Sequence, residues 1–237
     1  YFLNASLRYE GSSRFGANNK WAAFYGVGAG VSLHNLIDVS TIDNLKLRVS
    51  YGQTGNEPGS SYLSLQRFSP AGNFYYNGAY TSSYGPSSNA NPDLAWEIAT
   101  HMNVGVDFAV LNSKLFGSIE YFTRETKDQL LSVNVPVPPN LVGQTLLNIG
   151  TTKNTGIEVN VNYNAIDNGN INWTTGVVFG TNTSELVSWT KEDLSFGGGT
   201  LYRASMGSPG QSDVSLVRVV EGETLGQIWG PRFEGIA

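Results

Sequence analysis

The residues Leu45-Lys46-Leu47-Arg48-Val49-Ser50-Tyr51-Gly52 alternate apolar and polar without a break. Successive side chains of a β-strand point to opposite faces. Leu45, Leu47, Val49 and Tyr51 therefore share one face, and Lys46, Arg48, Ser50 and Gly52 the other. The apolar face of such a strand has to be covered. A second sheet can cover it, and so can lipid, in which case the polar face lines a water-filled lumen.

The same pattern recurs along the chain. Strands are expected at 1–9, 21–33, 44–55, about 96–110, 114–127, 153–166, 171–184 and, less sharply, about 214–229. In 96–110, Met102, Val104, Val106 and Phe108 oppose His101, Asn103, Gly105 and Asp107. In 153–166, Ile157, Val159, Val161 and Tyr163 oppose Glu158, Asn160, Asn162 and Asn164. Several of these runs are about twice the ~5–6 residues of a typical globular strand, and they reach the ~9–11 needed to cross a bilayer at a tilt.

The connections alternate in length. Residues 34–43, 111–113 and 167–170 are short links, the last reading Asp167-Asn168-Gly169-Asn170, where Asn and Gly accommodate positive φ. Residues 10–20, 56–95, 128–152 and 185–213 are long. Short turns at one rim and long loops at the other are the habit of an outer-membrane barrel. Tyr9, Trp21, Tyr51, Tyr121, Tyr163 and Trp173 stand near the ends of apolar faces, where an interfacial aromatic girdle belongs. The expected fold is all-β: an antiparallel transmembrane β-barrel, of which residues 1–237 form a partial sector of about eight strands.

Composition agrees with this and removes several functions. The chain has 237 residues, 14% of them charged, and a net charge of -5 with no Lys/Arg cluster, so no nucleic-acid partner is expected. It has no cysteine and only two histidines, His34 and His101, so thiol chemistry is excluded and no metal or cofactor site is expected. No apolar run is long enough for a transmembrane helix.

Particular strings go beyond pattern. Leu3-Asn4-Ala5-Ser6-Leu7-Arg8-Tyr9 through Asn19-Lys20-Trp21, Leu45 through Asn56, and Asn91-Pro92-Asp93-Leu94-Ala95-Trp96-Glu97 are three of them. Asn148-Ile149-Gly150 with Asn154-Thr155-Gly156-Ile157-Glu158, and Gly222-Glu223-Thr224-Leu225-Gly226 with Trp229-Gly230 and Gly235-Ile236, complete the set. In this order they resemble the SusC/RagA family of TonB-dependent outer-membrane transporters; Thr224 stands where that family usually has Pro.

The resemblance implies a barrel of about 22 strands closed by an N-terminal plug and energised by TonB. It also implies a SusD-like surface lipoprotein as partner, a setting in outer-membrane lipid with long loops facing the exterior, and import of an oligosaccharide or peptide. The plug, the TonB box and the terminal strands are not in these residues, and the chain is expected to be an internal portion of a longer protein. The alternative is a surface-exposed β-protein that binds glycans or a partner, or acts structurally in an outer-membrane assembly, without transport.

Catalysis is not expected. Gly26-Val27-Gly28-Ala29-Gly30 mimics a phosphate loop but lacks the strand-to-helix setting and reads as a strand with glycines on its lumen side. Glu97, His101 and Asp107 share a strand face but are too far apart along it to meet at one point. Glu120 and Glu125 fall on opposite faces. The loop 56–95 is the most suggestive binding segment, since it sets Phe68, Phe74, Tyr75, Tyr76, Tyr80 and Tyr84 among Gly, Ser and Asn. Tyr75, Tyr76, Tyr80 and Tyr84 are the candidate substrate-binding residues, because aromatic faces with amide and hydroxyl neighbours grip sugars or peptides at a wet surface.

Overall fold

The computed structural model describes residues 1–35, 39, 41–189, 200–205, 215–230 and 235. In chain order the strands are β1 (Phe2–Gly11), β2 (Trp21–Ser32), β3 (Ile42–Asn56), β4 (Arg67–Tyr76), β5 (Ala79–Ser88), β6 (Glu97–Val110) and β7 (Leu115–Lys127). Then come β8 (Leu130–Asn134), β9 (Gln144–Asn148), β10 (Thr151–Asp167), β11 (Asn172–Ser188), β12 (Thr200–Ser205), β13 (Ser215–Val220) and β14 (Gln227–Ile228).

Seven of the expected strands build one antiparallel sheet in the order β1-β2-β3-β6-β7-β10-β11. The eighth, 214–229, divides into β13 and β14, which join β12 in a separate three-stranded sheet. Its apolar residues fall on both faces of β13, and Glu221-Gly222-Glu223 ends the run with a turn in which Gly222 has φ 76°. The large sheet ends at β1 and β11. Two long free edges would invite uncontrolled pairing, and a barrel removes them by closure.

The register decides what the two faces are. Val31, Leu47, Val106, Ile119, Val159 and Phe179 stand opposite one another in turn across β2, β3, β6, β7, β10 and β11. Leu3, Ala29, Val49, Val104, Tyr121 and Ile157 form the next row. Apolar thus meets apolar across the sheet, yet no second sheet covers this face among the described residues: Leu7, Val27, Ile119, Val177 and Phe179 are all exposed. An exposed apolar patch of this size marks a surface built for a nonaqueous neighbour.

The edge of that apolar face runs diagonally. One register row reads Ala5, Val27, Tyr51, Met102, Thr123, Thr155, Thr183. On β1 the apolar face continues four residues past this row, to Tyr9; on β11 it stops four residues short of it, at Phe179, with Thr181 between. That offset is about 27 Å along the strands over about 29 Å across them, a slope near 40°. Strands of transmembrane barrels tilt by about 35–45°, so the oblique edge on the sheet is level in a bilayer.

The long connections all leave from one rim, because the sheet is antiparallel and each strand lies beside its predecessor in it. Two of them fold further. Within 56–95, β4 pairs β5, and within 128–152, β8 pairs β9. Asn77-Gly78, with φ of 49° and 83°, is the two-residue turn joining β4 to β5, a signal that the reading of 56–95 as a loop passed over. Gly197-Gly198-Gly199, expected as a loop tip, lies outside the described residues, as does Ile236.

The buried core sits at this rim. Phe15, Phe24, Leu94 and Trp96 form it, with the Phe15 and Trp96 rings 4.5 Å apart and Phe24 edge-on to Trp96 at 5.5 Å. Ala22, Leu63, Ile98, Leu130 and Leu146 pack around them. A Cβ on Gly16 would overlap the Pro92 carbonyl, so only glycine lets the 12–20 turn lie against 91–94.

Candidate functional site

On the polar face, Arg48 of β3 reaches two strands. Its Nε and Nη2 donate to the two carboxylate oxygens of Asp107 at 2.7 and 2.8 Å, and Nη2 also donates to Glu120 Oε1 at 2.6 Å. Asn103 Nδ2 donates to the other Glu120 oxygen at 3.1 Å. Gly105 makes this possible: it lies between Arg48 and Glu120 in the register, and a Cβ there would press on the guanidinium at 3.1 Å.

Across the next pairing Glu158 stands directly opposite Glu120, so three carboxylates and one guanidinium share this stretch of the face. Charge-assisted, bidentate pairing fixes the Arg48 side chain far better than a single contact does. A double-mutant cycle of Arg48→Gln and Glu120→Gln in the full-length protein is expected to give a coupling of about 1 kcal/mol, modest because both side chains remain partly exposed. Additivity of the two substitutions would remove the pair from the account.

Beside this network the face becomes shallow. Asn4, Ser6, Arg8, Phe24, Gly26, Gly28, Gly52 and His101 line a cleft of about 510 Å³. Gly26, Gly28 and Gly30 alternate along β2 as expected from the sequence, and Gly26 and Gly52 face each other across the ladder. The phosphate-loop resemblance of this string thus ends in an ordinary strand. Of the trio Glu97, His101 and Asp107, the structure keeps the members apart. Asp107 holds Arg48, His101 stands between Gly52 and Arg124 in the register, and Glu97 serves the rim. Glu120 and Glu125 have different surroundings too: Glu120 accepts from Arg48, whereas Glu125 pairs with Lys127.

The rim is held by side-chain amides. Asn89 Nδ2 donates to the Val142 and Gln144 carbonyls and to Thr145 Oγ1, while its Oδ1 accepts from the amides of Leu141 and Val142. Asn148 Nδ2 donates to the Ala95 and Asp128 carbonyls, and its Oδ1 accepts from the Ala95 amide. Asn91 Nδ2 donates to the Leu146 carbonyl, and Glu97 accepts from the Leu130 amide. Asn is the residue for this work because one short side chain offers both donors and acceptors to backbone that has left its ladder. The two strings 91–97 and 148–150 are therefore two halves of one latch. Gly222–Leu225 adds a third piece, since the amides of Gly222 and Leu225 donate to the Leu186 and Ser184 carbonyls on the free side of β11.

The candidate tyrosines lie on the β4–β5 hairpin. Tyr75 and Tyr80 are directly opposite, with rings edge-to-face at 5.3 Å. Tyr84 shares their face of β5, with Ser82 between, and Asn73 stands opposite Ser82. Tyr76 lies on the reverse side, its ring 6.3 Å from Phe74. All four are exposed, Tyr80 at 78%. The structure thus brings three of the four to one side and separates the fourth, because the hairpin alternates like any other strand pair.

Residues 1–211 match the family described as TonB dependent receptor-like, beta-barrel. The chain belongs to that family. The TonB-dependent receptor P39 of Formosa agariphila is 32% identical over 240 residues, covering 100% of this chain and 21% of its own length. The TonB-dependent receptor SusC of Bacteroides thetaiotaomicron is 31% identical over 205 residues, covering 81% of this chain and 20% of its own. Among solved structures, the RagAB peptide importer in its open-open state superposes with a TM-score of 0.74 at 26% identity, over 93% of this chain and 22% of that one. The chain spans about a fifth of the TonB-dependent receptors it matches.

Proposed function

We propose that this chain is a wall sector of an outer-membrane, TonB-dependent importer that takes up an oligosaccharide or peptide through a plug-gated lumen, with a SusD-like lipoprotein at the surface. The observation that carries the reading is the pairing of an uncovered apolar face, tilted as a bilayer requires, with a polar face holding fixed charges and a glycine-floored cleft. The apolar face meets lipid, the polar face meets the plug and the passing solute, and the long-connection rim faces the exterior. Membership of the TonB-dependent receptor-like family and likeness to SusC and to the RagAB peptide importer support it. The wall contributes containment and charge rather than catalysis.

The full-length gene, expressed with its neighbouring lipoprotein gene in a host lacking its own transporter, is expected to support growth on an oligosaccharide or a peptide only when TonB is present. Growth that ignores TonB would sink the proposal. Within this reading Tyr75, Tyr80 and Tyr84 form a binding face for the solute, with Tyr76 behind it. Tyr80→Ala is expected to weaken solute binding roughly two- to tenfold, the range for one aromatic contact, by calorimetry on the assembled complex. Unchanged binding would assign the rings to packing alone.

A further inference from the structure

The outward face of β7, β10 and β11 changes character before the strands end. Past the threonine row comes a charged one, in which Thr100, Glu125, Lys153 and Glu185 stand opposite one another in turn. Lys127 lies two residues beyond Glu125, and its Nζ is 3.0 Å from Glu125 Oε1. These side chains point the same way as Tyr121 and Ile157, away from Arg48 and the lumen. A groove of about 470 Å³ runs here, walled by Tyr51, Ile98 and Met102 on one side and by Glu125, Lys127, Asp128 and Lys153 on the other, with Gln53, Thr100 and Thr123 between them. Glu125 is four residues past Tyr121, which at a 40° tilt places it about 10 Å above the hydrocarbon edge, at headgroup level.

We propose that this groove holds a phosphate-bearing lipid of the outer leaflet, with an acyl chain against Tyr51 and Met102 and its phosphate against Lys127 and Lys153. The inference rests on the reading that the apolar face meets outer-membrane lipid. The groove is continuous with that face and passes from apolar through uncharged polar to charged side chains, which suits an amphiphile and not a free anion. Its interleaved signs suit a layer of phosphates bridged by divalent cations: each ammonium replaces a bridging cation, and Glu125, Asp128 and Glu185 share the remaining ones.

The test uses the full-length protein in detergent, titrated with diphosphorylated lipid A and with the same lipid after phosphatase treatment, and read by native mass spectrometry. Joint replacement Lys127→Gln and Lys153→Gln is expected to weaken lipid A binding roughly tenfold or more, while Lys46→Gln on the polar face leaves it unchanged. The dephosphorylated lipid should bind the unaltered protein as weakly as lipid A binds the double variant. Equal binding of the two lipids, equal binding by protein and double variant, or displacement of lipid A by inorganic phosphate would each overturn the proposal. Insertion into lipid vesicles is scored separately. A protein that inserts but ignores phosphate loses only this site, and one that does not insert loses the membrane reading as well.

Discussion

Val27→Arg in the full-length protein is expected to cost about 2–4 kcal/mol of folding stability in lipid vesicles, whereas Thr183→Arg costs less than about 1 kcal/mol. The two positions belong to the same register row, connected through Tyr51, Met102, Thr123 and Thr155. If strands stood upright in the membrane, the row would lie at one depth and the two costs would match. With strands tilted by about 40°, Val27 lies near the bilayer centre and Thr183 beyond its edge. Denaturant titration of vesicle-inserted protein measures both. Asn160→Arg, on the lumen face, supplies the control and should also be mild. Equal penalties at Val27 and Thr183 would refute the diagonal edge and, with it, the lipid assignment of the apolar face.

Leu94→Ala should produce the second large effect, about 2–5 kcal/mol at the rim, since Leu94 is fully buried among Phe15, Phe24 and Trp96. The loss is local. The barrel wall has its own ladder, so the expected readout is faster protease cutting in 56–95 and 128–152 with heat-resistant barrel mobility retained on gels. These two connections share the Asn91 and Asn148 hydrogen bonds and should therefore open together. Cutting confined to one of them would show that the latch is not a single unit. The β4–β5 hairpin springs from this base, so loosening the core is expected to loosen the hairpin as well.

Particular residues show how far the sequence reaches. Asn77-Gly78 carried a hairpin signal as clear as Asn168-Gly169, yet the segment around it reads as loop because β4 and β5 show no alternation: Phe74, Tyr75 and Tyr76 are consecutive rings, exposed on both sides. Alternation appears only where one face is covered, and among the described residues neither face of this hairpin is. The segment 214–229 shows the opposite error, since it is rich in apolar residues but belongs to a small separate sheet. Glu97 reads as lumen lining by periodicity and proves to be a rim acceptor, because the partners it serves, Leu130 and Asn56, come from distant sequence.

By itself the sequence determined the seven strands of the large sheet, their faces and the rim carrying the long connections. Each of these follows from a period of two and from loop length, which are local quantities. Tertiary structure decided the rest: the register that joins apolar rows into one tilted band, the Arg48–Asp107–Glu120 network, and the asparagine latch between 91–97 and 148–150. Those depend on which residues of different strands stand opposite one another. The alternation in Leu45–Gly52 says that Arg48 faces away from the apolar side of its strand, but only the pairing of β3 with β6 and of β6 with β7 gives it Asp107 and Glu120 to hold.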